Sequence, residues 1–576
     1  MARISTSSSA VAFKHGGIVL ALAAGLVVCA DRAPRSAEPT YYPDDPIRVD
    51  DDMARDASKV VEIDDANGYD FIVNTFGHPG NRDPRRAMNV NTVDEVPDAS
   101  WFMNRIGQRE MSLDELRRGT DRVASLSLDG WVVSGGKAGG VTPGFRMKDL
   151  KGHVYQIKFD PPANPEMSSG AEVIGAAFYH AFGYHTVDGY VAELDPAQLT
   201  IAPGATIYDP LAGRKRPLEM RDVRDVLAHA ARQPNGKYRV LASRFADGKP
   251  LGNFRYYRTR PDDPNDVLPH EHRRELRGSR VFGAWLNHVD SRGINSLDML
   301  VQNGSVAYIK HYMFDFGATL GSGTLAGQAP RVGNEYIWEW RPGWLTLGTV
   351  GLYTRPWMHI DYPNVPPSVG RFEADAFRPE LWRPEYPNPA FDNMRADDAF
   401  WAARIVARFS NDAIRVIVDR ARYSDPRAAD YVTGTIIKRR DKVVAYWLTQ
   451  VNPLVDFALG PTGELTFANA AEQAGVAATT ADSYRVQWAT FDNATGIASD
   501  VGGEISAADP RTQAPASLLA STAEYVEVRV AAVHPRFPVW AKPVTVRFRR
   551  DRGGWKLVGV LRLPDQSQPV ARLAKK

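Results

Sequence analysis

Hydrophobic periodicity changes twice along this chain, and that change constrains its fold more than any other feature. From Trp131 the run "WVVSGGKAGGVTPGFRMKDLKGHVYQIKFD" predicts a strand, a Gly-rich loop, a strand, a tight turn and a third strand. "SSGAEVIGAAFYHAFGY" then reads as a helix, "GYVAEL" as a strand, and a further helix lies between Pro269 and Asn287. Past Asp397 the pattern is helical, and Asp425 with Pro426 offers an N-cap and a first helical position. From about Gly463 to Leu563 strands return: Val526, Val528 and Val530 alternate with polar neighbours, and a hairpin turns near Gly553–Gly554. Runs of strands and runs of helices that do not interleave predict an α+β protein with a separate all-β, sandwich-like unit at its C-terminal end.

The 576 residues exceed what one ordinary core organises, so two or three folded units are expected. Seventy Lys and Arg against sixty-eight Asp and Glu leave +2, which recommends neither nucleic acid nor an anionic membrane as the main partner. The first 30 residues read as an export signal: Arg3 and Lys14, then "GIVLALAAGLVVCA", then small residues before Asp31. That apolar run is shorter than the roughly 20 residues a membrane span needs. Cys29 is the single cysteine, and Val28 before it is bulkier than a lipid-attachment site usually carries. Cleavage after Ala30 would leave no thiol, hence no disulfide, cysteine nucleophile or thiolate metal site. The expected location is therefore periplasmic or secreted, with lipid anchoring at Cys29 as the alternative. Residues 31–120 read as a Pro- and Asp-rich linker followed by an extension packed on the next unit.

Four elements carry chemistry. The first is the loop "SGGKAGGVTPG", whose glycines, Gly139 and Gly140 among them, would let backbone amides approach phosphate oxygens. Its alternative is a flexible hairpin, with Lys137 an exposed loop lysine rather than a phosphate contact. The second is Lys158 in "VYQIKFD", on one strand face with Val154 and Gln156 and opposite Tyr155, Ile157 and Phe159. Inside an apolar strand it needs an anionic partner; on an edge strand it would need only water. Glu172, the third, is the only Asp, Glu, Lys or Arg between Met167 and Val187. Ser169-x-x-Glu172 also fits a capping box, so both readings stand. The fourth is "HVDSRGINSLDML" with the hairpin after it, which turns at Asn303–Gly304 and delivers Asp315-Phe316-Gly317 close to Asn295.

In that order, from about Trp131 to Leu448, the chain resembles the protein-kinase-like superfamily. It is most similar to the atypical branch of secretory-pathway, spore-coat, bacterial toxin-type and phosphatidylinositol kinases. The resemblance implies a two-lobed core, with residues 121–200 as the N-lobe, 201–460 as the C-lobe and 461–576 as the β domain. It implies that Lys158 holds ATP phosphates and is positioned by Glu172, and that Asp290 receives the proton of an acceptor hydroxyl. Asn295 and Asp315 would give oxygens to Mg²⁺ or Mn²⁺, and Arg292 would neutralise the transferring group. The implied partners are a nucleotide and a hydroxyl on a protein, glycan or lipid; nucleotidyl transfer would use the same residues.

The departures are specific. Val289 stands where an arginine is usual, the Gly-rich loop lacks G-x-G-x-x-G spacing, and no A-P-E segment follows Asp315. A Trp-, Tyr- and Pro-rich stretch takes its place, read mainly as packing, with a substrate groove as the alternative. Two other classes fit parts of the pattern: a catalytically inactive pseudokinase-like binding module, and a metal-dependent hydrolase using His288, Asp290, His311 and Asp315. "HEH" at His270–His272 reads as a solvated helix start.

Overall fold

The computed structural model describes residues 39–63, 69–137, 140–565 and 567–570. The expected signal, with Cys29, lies outside the described residues, and so does Gly139. No helix among the described residues is long and apolar enough to cross a membrane.

The chain is mixed α+β. Strands β1 (Val132–Gly136), β2 (Gly144–Lys148) and β3 (Val154–Phe159) form an antiparallel meander. It continues through helix α1 (Met167–Phe182) into β4 (Gly189–Leu194), β5 (Thr200–Asp209), β6 (Arg214–Pro217) and β7 (Tyr238–Arg244). The sheet order is β4-β7-β3-β2-β1-β5-β6. It runs well past residue 200, where the sequence reading divided the chain, because the apolar segment of β7 inserts between β3 and β4 as an interior strand. Phe145, Phe159, Ile157, Tyr155 and Val240 fill the face beneath.

Helix α1 is a core element. Of its residues only Ala176 and His180 escape full burial, so no face is left for solvent. Phe182 stacks on Phe282 with ring centroids 4.1 Å apart, and Phe178 meets Trp285 at 5.0 Å. Both partners lie on α2 (Arg274–Leu286), which packs against α3 (Ala396–Ala407), while α4 (Asn411–Val418) and α5 (Pro426–Trp447) complete the helical part. Asp425 caps α5 by accepting from the Arg427 amide at 2.9 Å, with Pro426 at the first position. A hairpin, β8 (Ser296–Asn303) and β9 (Val306–Met313), leads out of the loop after α2.

Two antiparallel sheets close the chain, one built on Leu454–Leu459, Glu464–Asn469 and Arg511–Gln513, the other of five strands from Ser483 to Leu561. Trp488, Trp540, Leu465, Val528 and Phe548 form their shared core. The N-terminal stretch packs on both halves. Trp101 and Phe102 enter the main core, and Tyr41 lies beside Phe491 and Tyr525 of the C-terminal sheet, at 6.0 and 6.1 Å.

Two local expectations are corrected. His270, Glu271 and His272 are buried rather than solvated. Asp266 and the Arg255 carbonyl take the two ring nitrogens of His270, and Arg277 donates to His272 at 2.6 Å. The helix of the Trp-rich stretch does not pack inward, although Glu335 at the start of the stretch does: Trp340–Gly348 buries nothing, and Trp340 and Trp344 are 58% and 62% exposed. Trp338 packs on Trp340 at 5.1 Å and on Phe76 of the N-terminal stretch at 6.1 Å.

Candidate active site

The alternation along β3 places Lys158 among partly exposed Val154 and Gln156, with Tyr155, Ile157 and Phe159 buried on the other face. Hydrogen bonding to β2 and β7 on both sides makes β3 interior, which removes the edge-strand reading. Lys158 Nζ donates to Asp315 Oδ1 at 2.7 Å and to Glu172 Oε2 at 3.4 Å. Burial works against its charge, but the two carboxylates outweigh burial and hold its pKa above the ordinary lysine value. Burial raises the Glu172 carboxyl despite Lys158, and Asp315 raises it further. At Asp315 burial also opposes the charge, but Lys158, Lys137 and Arg292 win and the carboxyl stays below its usual range.

Glu172 is not a helix cap. Helix α1 begins at Met167, one turn earlier than a Ser169 cap requires, and its N-cap residue, Glu166, makes no side-chain cap hydrogen bond. Ser169 instead donates to Asp160 at 2.5 Å and accepts from Arg239 Nε at 3.0 Å. Glu172 is thereby left to Lys158 and to the Phe316 amide, which helps hold its charge.

The chain reaches Asp315 from the end of β9 in the left-handed region, φ 63°, a conformation Asp tolerates better than most residues. Phe316 is fully buried, 4.8 Å from the Tyr179 ring and 5.2 Å from His288. A Cβ on Gly317 would lie 2.8 Å from Ser168 Oγ and 3.2 Å from Glu172 Oε2, so a side chain there would displace both groups.

The loop after α2 is anchored from within. His288 Nδ1 and the Tyr179 hydroxyl share a hydrogen bond of 2.8 Å. Burial pushes the His288 pKa down to about 3, so the ring is neutral and serves as a spacer between loop and helix. Asp290 pairs with Arg292 Nε, and Arg292 NH1 donates to Glu385 at 2.8 Å. Asn295 Nδ2 donates to the Asp290 carbonyl at 2.8 Å, and the Phe314 amide donates to the Asn295 carbonyl at 3.1 Å. Asn295 and Asp315 thus sit at the mouth of one hairpin.

Lys137 is half-buried, not an exposed loop lysine. It donates to the Thr142 carbonyl at 2.8 Å, and burial and then Lys158 push its pKa down to about 8. A Cβ on Gly140 would stand 3.0 Å from its Nζ.

No family model matches this chain, and no curated protein does. The fold is similar to that of a Helicobacter pylori proinflammatory kinase, CtkA. The match covers 56% of this chain and 96% of that chain at 12% identity, with a TM-score of 0.31. At that level it compares the coarse path of the chain, and residue roles rest on the geometry above.

The donor set suits a hard cation held jointly with phosphates. Asp315 is 45% exposed at the side chain, and Asn295 adds an amide oxygen. Among the described residues no three His, Cys, Asp or Glu side chains gather as a metal site. Of the four residues of the hydrolase reading, His311 is already engaged elsewhere: it is tied to Asp298 at 2.7 Å and stacked on Trp101 at 3.5 Å. Glu385 and Tyr179 were missed from sequence. Glu385 lies 93 residues from the arginine it holds, and no local pattern marks it.

Proposed function

We propose that this protein is an exported phosphotransferase that moves the γ-phosphoryl of ATP to a hydroxyl on a protein, glycan or lipid. The observation that carries the reading is Lys158, on an interior strand, bonded at once to the helix carboxylate Glu172 and to Asp315. Lys158 and Lys137 bind phosphate oxygens, and Glu172 holds Lys158 in place. Asn295 and Asp315 give oxygens to Mg²⁺ or Mn²⁺. ATP would supply the phosphoryl group, and the cation would offset charge on its β and γ oxygens. Asp290 orients the acceptor hydroxyl and accepts its proton as the new P–O bond forms and ADP leaves. Arg292, expected to neutralise the moving group, lies between Asp290 and Glu385 and so also fixes the Asp290 carboxylate. Export rests on the sequence of residues 1–30 alone.

Thermal unfolding with ATP and Mn²⁺, separately and together, tests the site. A ligand that selects the folded state raises the midpoint. The expected result is a rise that needs both ligands, is lost in Asp315→Ala and persists in Asp290→Ala, where phosphoryl transfer falls at least 100-fold. A rise with no turnover in any condition would favour the binding-module reading. No rise with folded protein would remove the nucleotide site.

A further inference from the structure

At the C-terminal end of α1 lies a polar cavity of about 260 Å³. Its walls come from the end of α1 at His180, the segment His185–Asp188, β7 and the turn after it, β9, and the N-terminal stretch. Four cations line it: Arg105, Arg122, Arg244 and Lys310. Only two carboxylates do, Asp188 and Asp247, and both are already taken. Arg122 pairs with each of them at 2.9 Å, and Arg244 with Asp247 at 2.8 Å.

Two positive charges are left over. Arg105 donates only to carbonyls, those of His180 at 2.6 Å and Tyr184 at 3.1 Å. The Lys310 ammonium makes no hydrogen bond or ion pair among the described residues, and its Nζ stands 5.3 Å over the Tyr312 ring. His185 also lines the cavity: it is 5% exposed, and its buried Nε2 has no hydrogen-bond partner among the described residues. A buried polar atom without a partner is uncommon enough to call for an explanation.

We propose that this cavity binds a small phosphate-type anion, inorganic phosphate or a phosphate monoester, through Lys310, Arg105 and His185 Nε2. Its volume falls below the roughly 300 Å³ at which sites for larger organic ligands begin, so it suits a small anion and not a nucleotide. The electrostatics agree with the geometry. Burial lowers the Lys310 pKa and Arg105 and Arg122 lower it further, while burial, then Lys310 and Arg105, depress His185. An anion would relieve that repulsion and offer His185 a partner. The cavity sits at the C-terminal end of the helix that carries Glu172, about two turns beyond it. It stands apart from the phosphotransfer reading and survives that reading's failure.

The test is thermal unfolding at fixed ionic strength, with chloride replaced stepwise by inorganic phosphate, and by O-phosphoserine in a second series. The expected result is a saturable rise in midpoint that Lys310→Met and His185→Gln each abolish and Lys158→Met leaves intact. A larger effect of O-phosphoserine would assign the cavity to an esterified phosphate, and an equal or smaller one to the free ion. No saturable rise, a rise unchanged in both cavity variants, or a rise lost in Lys158→Met would overturn the proposal. His185→Gln retains Lys310 and keeps the result readable if Lys310→Met fails to fold.

Discussion

Lys158 lies between carboxylates of unequal exposure, Glu172 at 6% and Asp315 at 45% of the side chain, so its removal does not cost both partners equally. Asp315 can turn to water. Glu172 cannot, and stripping the cation from a buried pair costs about 3 kcal/mol. Lys158→Met should therefore destabilise the protein by about that much, and adding Glu172→Gln should cost at least ~1 kcal/mol less than the two single losses summed. The pH dependence has a definite sign. Glu172 already titrates above its ordinary value, so folding binds its proton more tightly than the unfolded chain does. A carboxyl raised on folding contributes stability below its unfolded pKa and loses it as pH rises through the folded one. Without Lys158 the carboxyl rises further, so the deficit of Lys158→Met should grow from acid to neutral pH and shrink near pH 4. Urea unfolding of the four proteins at several pH values checks both statements, and strict additivity would leave Glu172 without a role toward Lys158.

Helix α1 meets the Asp315 turn with no slack. A Cβ on Gly175 would stand 2.7 Å from the Phe316 Cβ and 3.2 Å from Thr319 Oγ1. Intrinsic propensity favours Gly→Ala inside a helix by about 1 kcal/mol, but overpacking a rigid contact costs about 1–3 kcal/mol. Gly175→Ala should therefore be net destabilising or neutral, and it should weaken the ATP–Mn²⁺ stabilisation more than it weakens the fold, because the displaced segment carries Asp315. An alanine variant that is more stable and binds equally well would show that the turn is free to move. The strand-to-helix order around this contact was legible in the sequence because β3 alternates cleanly and α1 is almost wholly apolar. Its local details were not. Ser169-x-x-Glu172 fits a cap by spacing, yet Asp160 takes Ser169 from outside the helix. His270–His272 reads as a solvated helix start, yet it is buried, and so are Arg273, Arg274 and Arg277 just after it. Arg274 is neutralised by Asp94, Asp397 and Asp398, residues too distant in sequence for any window to pair with it.

At the scale of the molecule, the change of periodicity near Gly463 made the C-terminal antiparallel sheets legible, but not how they join the rest. The first of their strands begins at Leu454, directly after α5, and the junction is sealed by buried polar contacts. Arg562, at 7% exposure, donates to the carbonyls of Asn452 at 2.5 Å and Leu454 at 3.0 Å, with its guanidinium 4.4 Å from the Phe400 ring of α3. Trp540 donates to the Thr449 carbonyl at 3.2 Å, and Arg395 reaches the Asp565 carbonyl at 2.6 Å. Tyr41 joins the far side of the same sheets, so chain from both ends binds the C-terminal unit to the core. Units coupled this way unfold together as long as the interface outweighs the difference in their separate stabilities. Arg562→Ala strands two buried carbonyls and removes a cation from an aromatic face, a loss of about 3 kcal/mol. Calorimetry should show one transition in the parent protein and two in Arg562→Ala, the lower one coinciding with loss of the near-ultraviolet signal of Trp488 and Trp540. A single transition in the variant, merely shifted, would mean that the C-terminal sheets and the helical core fold as one unit without this arginine.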